Sequence, residues 1–140
     1  MPAEKKLHVM VVTPSRTALN DDAASVVVPA FDGEWGVLPG HAALMALLGC
    51  GRLTVSRADG TRRYLTLRGG FLQVKDDAVT ILTPEAVAVN ELDAAAVHDE
   101  LELLKATHPP PAEREAHEQK LAWAQARQKA IERARAEARN

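Results

Sequence analysis

The sequence predicts an α+β protein: an N-terminal antiparallel β-sandwich or flattened barrel followed by a C-terminal antiparallel two-helix hairpin. Three observations carry this. Up to about residue 90, short apolar stretches rich in β-branched residues recur between turn signals, the composition of strands. Beyond Asp93, β-branched residues nearly vanish and Ala, Glu, Lys, Arg, Gln and Leu dominate. Pro109-Pro110-Pro111 then splits this second region, because each ring removes a donor and keeps its predecessor out of helical geometry. The expected division is a β domain over 1–89 and a helical hairpin over 90–140.

Residues 7–13 and 25–29 have strand length and composition. Next comes Gly33-Glu34-Trp35-Gly36-Val37-Leu38-Pro39-Gly40-His41, the stretch densest in special backbone requirements. Three glycines and a proline predict a shaped loop, since glycine visits positive φ cheaply and proline fixes φ. It presents a carboxylate, an indole and an imidazole, so Glu34 and His41 are candidate contact residues. A structural turn between strands is an equally simple reading of the turn chemistry. Residues 41–48, with Ala42-Ala43-Leu44-Met45-Ala46-Leu47-Leu48, have helical propensity, and a run this short cannot be settled by periodicity.

Residues 53–57, 64–67, 71–74 and 79–82 complete the strands. Asp59-Gly60 predicts a tight hairpin turn, Asp76-Asp77 a second reversal, and Gly69-Gly70 a bulge or bend. The strands are expected to pair antiparallel, two sheets each burying one face.

In the second region Asp93 is a helix N-cap candidate, with Val97, Leu101 and Leu104 at helical spacing over 93–106. A second helix is expected from about Ala112. Its stripe of Ala116, Trp123, Ala126, Ala130 and Ala134 suits close approach to a partner. Acidic residues crowd the first helix, whereas Lys120, Arg127, Lys129, Arg133, Arg135 and Arg139 crowd the end of the second. An antiparallel hairpin brings these ends together, and self-neutralisation with helix-dipole complementarity is one account of the gradient. Outward contact by Arg127, Arg133 and Arg135 is the other.

With 140 residues the chain can hold one good core and a small appendage. A formal net charge of -2 and 4% aromatics argue against a dedicated nucleic-acid binder. The single cysteine, Cys50, excludes an internal disulfide and fits a reducing compartment. No signal-peptide pattern precedes the first strand and no apolar run approaches the ~20 residues that span a bilayer, so a soluble, cytosol-facing protein is expected. His117-Glu118 opens a zinc-protease-like pattern, but Leu121 stands where the second histidine belongs. No phosphate loop is present, and Cys50 lacks an obvious base, so no catalytic residue, metal or cofactor is expected.

Val12-Thr13-Pro14, the run 33–41, Gly51-Arg52-Leu53, Leu67-Arg68-Gly69-Gly70-Phe71-Leu72-Gln73-Val74 and Val79-Thr80-Ile81-Leu82 follow one another in order. Together they closely resemble the epsilon subunit of bacterial F-type ATP synthases, from Leu7 nearly to the end of the chain. The resemblance implies a sandwich of about ten strands and reads the stretch after His41 as strand and turn. It also implies a peripheral, non-catalytic central-stalk subunit at the cytoplasmic face of the bacterial cell membrane, with no membrane insertion of its own. The sandwich would pack on the gamma subunit and on the c-ring, where Glu34 would lie. The hairpin would either fold down or extend toward the alpha and beta subunits and obstruct ATP hydrolysis. Some family members bind ATP through a motif resembling Ile/Leu-Asp-x-x-Arg-Ala. Here Leu92-Asp93-Ala94-Ala95 keeps its first half, but Ala96 replaces the arginine and Val97 the alanine, so ATP binding is not expected. A contrasting reading keeps the structure and makes the chain a free-standing adaptor whose helical hairpin docks another partner.

Overall fold

Successive side chains of a strand point to opposite faces, so each strand can bury one apolar set. In the computed structural model, which describes residues 5–138, the first strand does this: Leu7, Val9 and Val11 of β1 (Leu7–Val12) are buried while His8 is exposed. The chain continues through β2 (Thr17–Ala23), β3 (Ser25–Ala30), β4 (Gly33–Val37), β5 (Leu44–Ser56), β6 (Arg62–Lys75), β7 (Ala78–Leu82) and β8 (Ala86–Ala88). After a single 3-10 turn come α1 (Ala94–Ala106) and α2 (Arg114–Ala138). Arg139 lies outside the described residues.

The eight strands form one hydrogen-bonded sheet that folds back on itself. One layer has the order β2, β1, β7, then residues 71–75 of β6 and 44–48 of β5. The other has β8, residues 62–67 of β6, 51–56 of β5, then β3 and β4. Because β5 and β6 serve both layers, eight strands supply the ten segments expected of this sandwich. The fold-back occurs at glycines. Gly69 and Gly70 have φ of +69 and +124, and a Cβ on Gly70 would collide with the Leu82 carbonyl oxygen. Between the layers sit Val26, Val28, Leu53, Val55, Leu67, Leu72, Val74 and Ile81, with Trp35 packed at the margin.

Several expectations need correction. Residues 33–37 are not loop but the edge strand β4, paired with β3 from Val26↔Val37 to Ala30↔Gly33; only residues 38–43 leave regular structure. β1 and β7 run parallel, against the antiparallel rule. They belong to separate hairpins, β1–β2 and β6–β7, so no tight turn dictates their relative direction. The turn at Asp59-Gly60 is longer than two residues: Gly60 N–H donates to Arg57 at 3.0 Å, and only Gly60 has positive φ. Asp76-Asp77 is the tighter one, with φ of +51 and +62 at both central positions.

Asp93 caps α1 as expected, its Oδ1 accepting from the Ala96 amide at 3.2 Å. The helix stops before the three prolines, where Thr107 Oγ1 donates to the Leu103 carbonyl at 2.7 Å. On α2 the packed face differs from the expected stripe. Ala116 is exposed, whereas Trp123, Ala124, Ala130 and Ile131 are buried. The hairpin is folded down, with α2 lying against β5 and β6 and α1 packing on α2.

Candidate functional site

The seat of the hairpin is the outward face of the second layer. Leu53 and Val55 point into the sandwich, so alternation sends Arg52 and Thr54 outward, beside Tyr64 and Thr66 of the neighbouring strand. Arg52, Thr54 and Thr66 are buried there, a polar face under a helix. Small residues allow the approach: Pro29, Ala30 and Gly51 on the sheet face Ala126 and Ala130 of α2 around a cleft of about 270 Å³.

Two ion pairs cross this seat with opposite polarity. Arg52, whose side chain is only 6% exposed, donates through both terminal nitrogens to Glu137, at 2.9 and 3.2 Å. Its guanidinium also lies 4.4 Å from the centroid of the Tyr64 ring, a cation–π contact. One turn earlier on α2, Arg133 donates to Glu34 Oε2 at 3.1 Å. The sheet thus offers a cation and an anion, and the helix offers the complement in reverse order. The Arg52 hydrogen bonds hold the Glu137 carboxyl below the usual range, with smaller help from Tyr64 and Arg133. Arg52 Nε is buried without a hydrogen-bond partner.

The five expected site residues separate into different places. Glu34 and Arg133 meet at the seat. Arg127 instead ties α2 to α1: its Nη2 lies 2.7 Å from a Glu100 carboxylate oxygen, and its guanidinium stands over Trp123 at 4.9 Å. Arg135 is exposed and borders a cavity of about 500 Å³ shared with Arg62, Arg63 and Tyr64. His41 is away from the seat in the loop after β4, where its Nδ1 contacts the Ala42 carbonyl at 2.8 Å. That loop is pinned to the β6–β7 turn, Gly40 N–H donating to Asp77 Oδ1 at 2.7 Å. Arg52, Tyr64, Glu137, Glu100 and Asp77 are functional candidates that sequence reasoning did not single out. Arg52 stood in the sequence only as the middle of Gly51-Arg52-Leu53, a motif of the family resemblance with no role attached to its charge.

Cys50 is half-buried beside the cleft, and desolvation raises its thiol pKa against the opposing effect of Arg68. Among the described residues no cluster of His, Cys, Asp and Glu has metal-binding geometry, and no helix is long and apolar enough to cross a membrane. Ala96 is exposed on the first turn of α1.

Residues 6–89 match the family described as ATP synthase, Delta/Epsilon chain, beta-sandwich domain. The chain belongs to this family. Among curated delta/epsilon relatives, the ATP synthase epsilon chain of Rhodopirellula baltica is 45% identical over 87 residues, 62% of this chain and 67% of the relative. That of Lawsonia intracellularis is 36% identical over 103 residues, 74% of this chain and 77% of the relative. A chain in the Euglena gracilis mitochondrial ATP synthase structure, containing OSCP, F1 and the c-ring, superposes with a TM-score of 0.83 at 27% identity. That match covers 94% of this chain and 84% of the other. A chain of the Tetrahymena thermophila mitochondrial ATP synthase central stalk and c-ring has a TM-score of 0.64 at 18% identity, a likeness of fold.

Proposed function

We propose that this delta/epsilon-family chain is a non-catalytic rotor subunit of a proton-translocating bacterial F-type ATP synthase. The sandwich couples gamma to the c-ring, and the helical hairpin restrains ATP hydrolysis when it extends toward the alpha and beta subunits. The observation that carries this is the division of labour between the two sheet faces. The outward face of the second layer is polar and covered by a hairpin held through ion pairs and small residues, a seat suited to release. The outward face of the first layer is uncovered and carries an apolar row at one end, beside the polar His8, Asp22, Gln73 and Thr80.

On that uncovered face Leu47, Phe71, Leu82 and Val12 form one cross-strand row, with Leu47 65% and Leu82 51% exposed. Met45, 64% exposed, extends it from the next row. A contiguous apolar patch of this kind marks a protein interface, and gamma is the partner we assign to it. The turn residues 38–43 and Glu34 would meet the polar loops of the c-ring, placing the subunit at the cytoplasmic face of the membrane. ATP is not a ligand in this reading, because Ala96 offers no guanidinium. Calorimetric titration should show affinity no tighter than about millimolar, roughly -4 kcal/mol; micromolar binding would refute that part.

The test of function is a complex whose subunit ends near Val89. Assembly should persist while ATP hydrolysis rises; unchanged hydrolysis would mean that the hairpin is no brake.

A further inference from the structure

Three features of the hairpin seat combine in an unusual way. First, the two ion pairs are crossed, Arg52–Glu137 and Glu34–Arg133, so sliding α2 by one turn would bring Arg133 toward Arg52 and oppose like charges. The seat therefore has one register. Second, Arg133 and Glu137 are four residues apart on α2, the spacing at which opposite charges on a helix can pair with each other. Lifting the helix leaves both of its charges a ready partner. Third, the seat is incompletely satisfied: Arg52 Nε is buried with no acceptor, and a cleft of about 270 Å³ remains between helix and sheet. With this open cleft beside it, the helix makes fewer direct contacts with the sheet and has fewer to lose on lifting.

We propose that Glu34 is a shared carboxylate through which the hairpin and the c-ring compete. This rests on the reading that Glu34 faces the polar loops of the ring. With the hairpin down, Arg133 holds Glu34; its side chain is still 46% exposed, so a donor array can approach from the open side. Ring donors that take the carboxylate weaken its attraction for Arg133, which turns to Glu137. Glu137 is in turn drawn from Arg52, and the second pair loosens with the first. Arg52 keeps its Tyr64 ring and gains water at Nε, so its side of the clasp is not stranded. Docking on the ring thus biases the hairpin toward release through one side chain, without any displacement of the sandwich.

The test uses hydrogen exchange across α2 in the full chain, free and assembled in the ATP synthase, for wild type, Glu34→Gln, Arg133→Gln and the double variant. In the free chain each single substitution should speed exchange over residues 123–137 by a similar factor, up to about fivefold, the upper end for an exposed pair. The double variant should add nothing further, as for two members of one interaction. Unchanged or additive effects overturn the clasp. In the assembled complex the difference between wild type and Arg133→Gln should disappear, since the ring already occupies Glu34. A difference of the same size there shows Arg133 still holding the carboxylate and overturns the competition. Proton pumping in reconstituted vesicles checks the underlying reading separately: Glu34→Gln should weaken coupling. Wild-type pumping by Glu34→Gln removes the ring contact, and the competition with it, even if the free-chain clasp stands.

Discussion

Arg52 shows how a single position ties the hairpin to the sheet. Its neighbours Gly51 and Leu53 place it on the outward side of a strand, Tyr64 supplies a ring, and Glu137 arrives from a helix 85 residues away in sequence. None of these partners is local, so the sequence displayed the charge and not its role. The pH consequence follows from Glu137, whose folded-state pKa is depressed, mainly by hydrogen bonding to Arg52. Its stabilising contribution is complete above the ordinary glutamate value of about 4.3 and is lost as pH falls through the lowered one. Protection of the amides at the end of α2, taken against their own pH-dependent intrinsic exchange, should therefore fall as pH drops below the ordinary glutamate range, and Glu137→Gln should weaken that dependence. A second residue-scale outcome concerns Gly70. An alanine there would set its Cβ against the Leu82 carbonyl at a φ that L-residues avoid, so Gly70→Ala should cost more than about 2 kcal/mol in thermal unfolding, beyond the ~1 kcal/mol of a typical point substitution.

At the scale of elements, what could be read in advance depended on whether a strand was rich in β-branched apolar residues. β1, β3 and β7 are, and that composition marked them. β2, with the sequence Thr-Ala-Leu-Asn-Asp-Asp-Ala, lies at a sheet edge and buries only Leu19 and Ala23, so its polar residues hid it. β4 was masked by its glycines, which suggested loop. The start of β5 was obscured for the opposite reason: Leu44, Ala46 and Leu48 face inward, yet Met45 and Leu47 on the outer face are apolar too, erasing the period of two. Tertiary pairing then overrode helical propensity. The basic end of α2 was legible as charge, but its three arginines divide by partner. Arg127 is 13% exposed against Glu100, so Arg127→Glu should destabilise the isolated subunit by about 1–3 kcal/mol. Arg135 has no such constraint. Arg135→Glu should leave unfolding within about 0.5 kcal/mol of wild type, while inhibition of hydrolysis falls if this arginine reaches acidic surface on alpha or beta. Added salt should then weaken the wild-type brake, since screening shortens to about 8 Å near physiological ionic strength. Equal hydrolysis rates for wild type and Arg135→Glu at low and high salt would leave self-neutralisation as the whole account of the charge gradient.

At the scale of the molecule, the sandwich core is complete before the hairpin begins. The continuous buried cluster runs from Leu7 to Ala86 and contains no residue of α1 or α2. Removing the hairpin therefore deletes no part of it. What the removal uncovers is Arg52, Thr54, Tyr64 and Thr66, side chains that water can satisfy, together with the small Pro29, Ala30 and Gly51, so no large apolar face is bared. A chain ending near Val89 should accordingly unfold in one cooperative transition and retain strand-type circular dichroism, its midpoint lowered by loss of the α2 contacts alone. A broad, non-cooperative melt would show that the helices complete the domain. The converse does not hold for the hairpin. Its buried residues are Val97, Leu101, Trp123, Ala124, Ala130 and Ile131, several of them small, and the rest of its surface is charged. Too little apolar area is available to offset the entropy of ordering two helices without the sheet as a support. A peptide of residues 90–140 should be largely unstructured in dilute buffer, and strong helical dichroism from it would overturn this asymmetry. A stable platform carrying an appendage that gains its order only from what it docks on is the thermodynamic form that the proposed movable restraint requires.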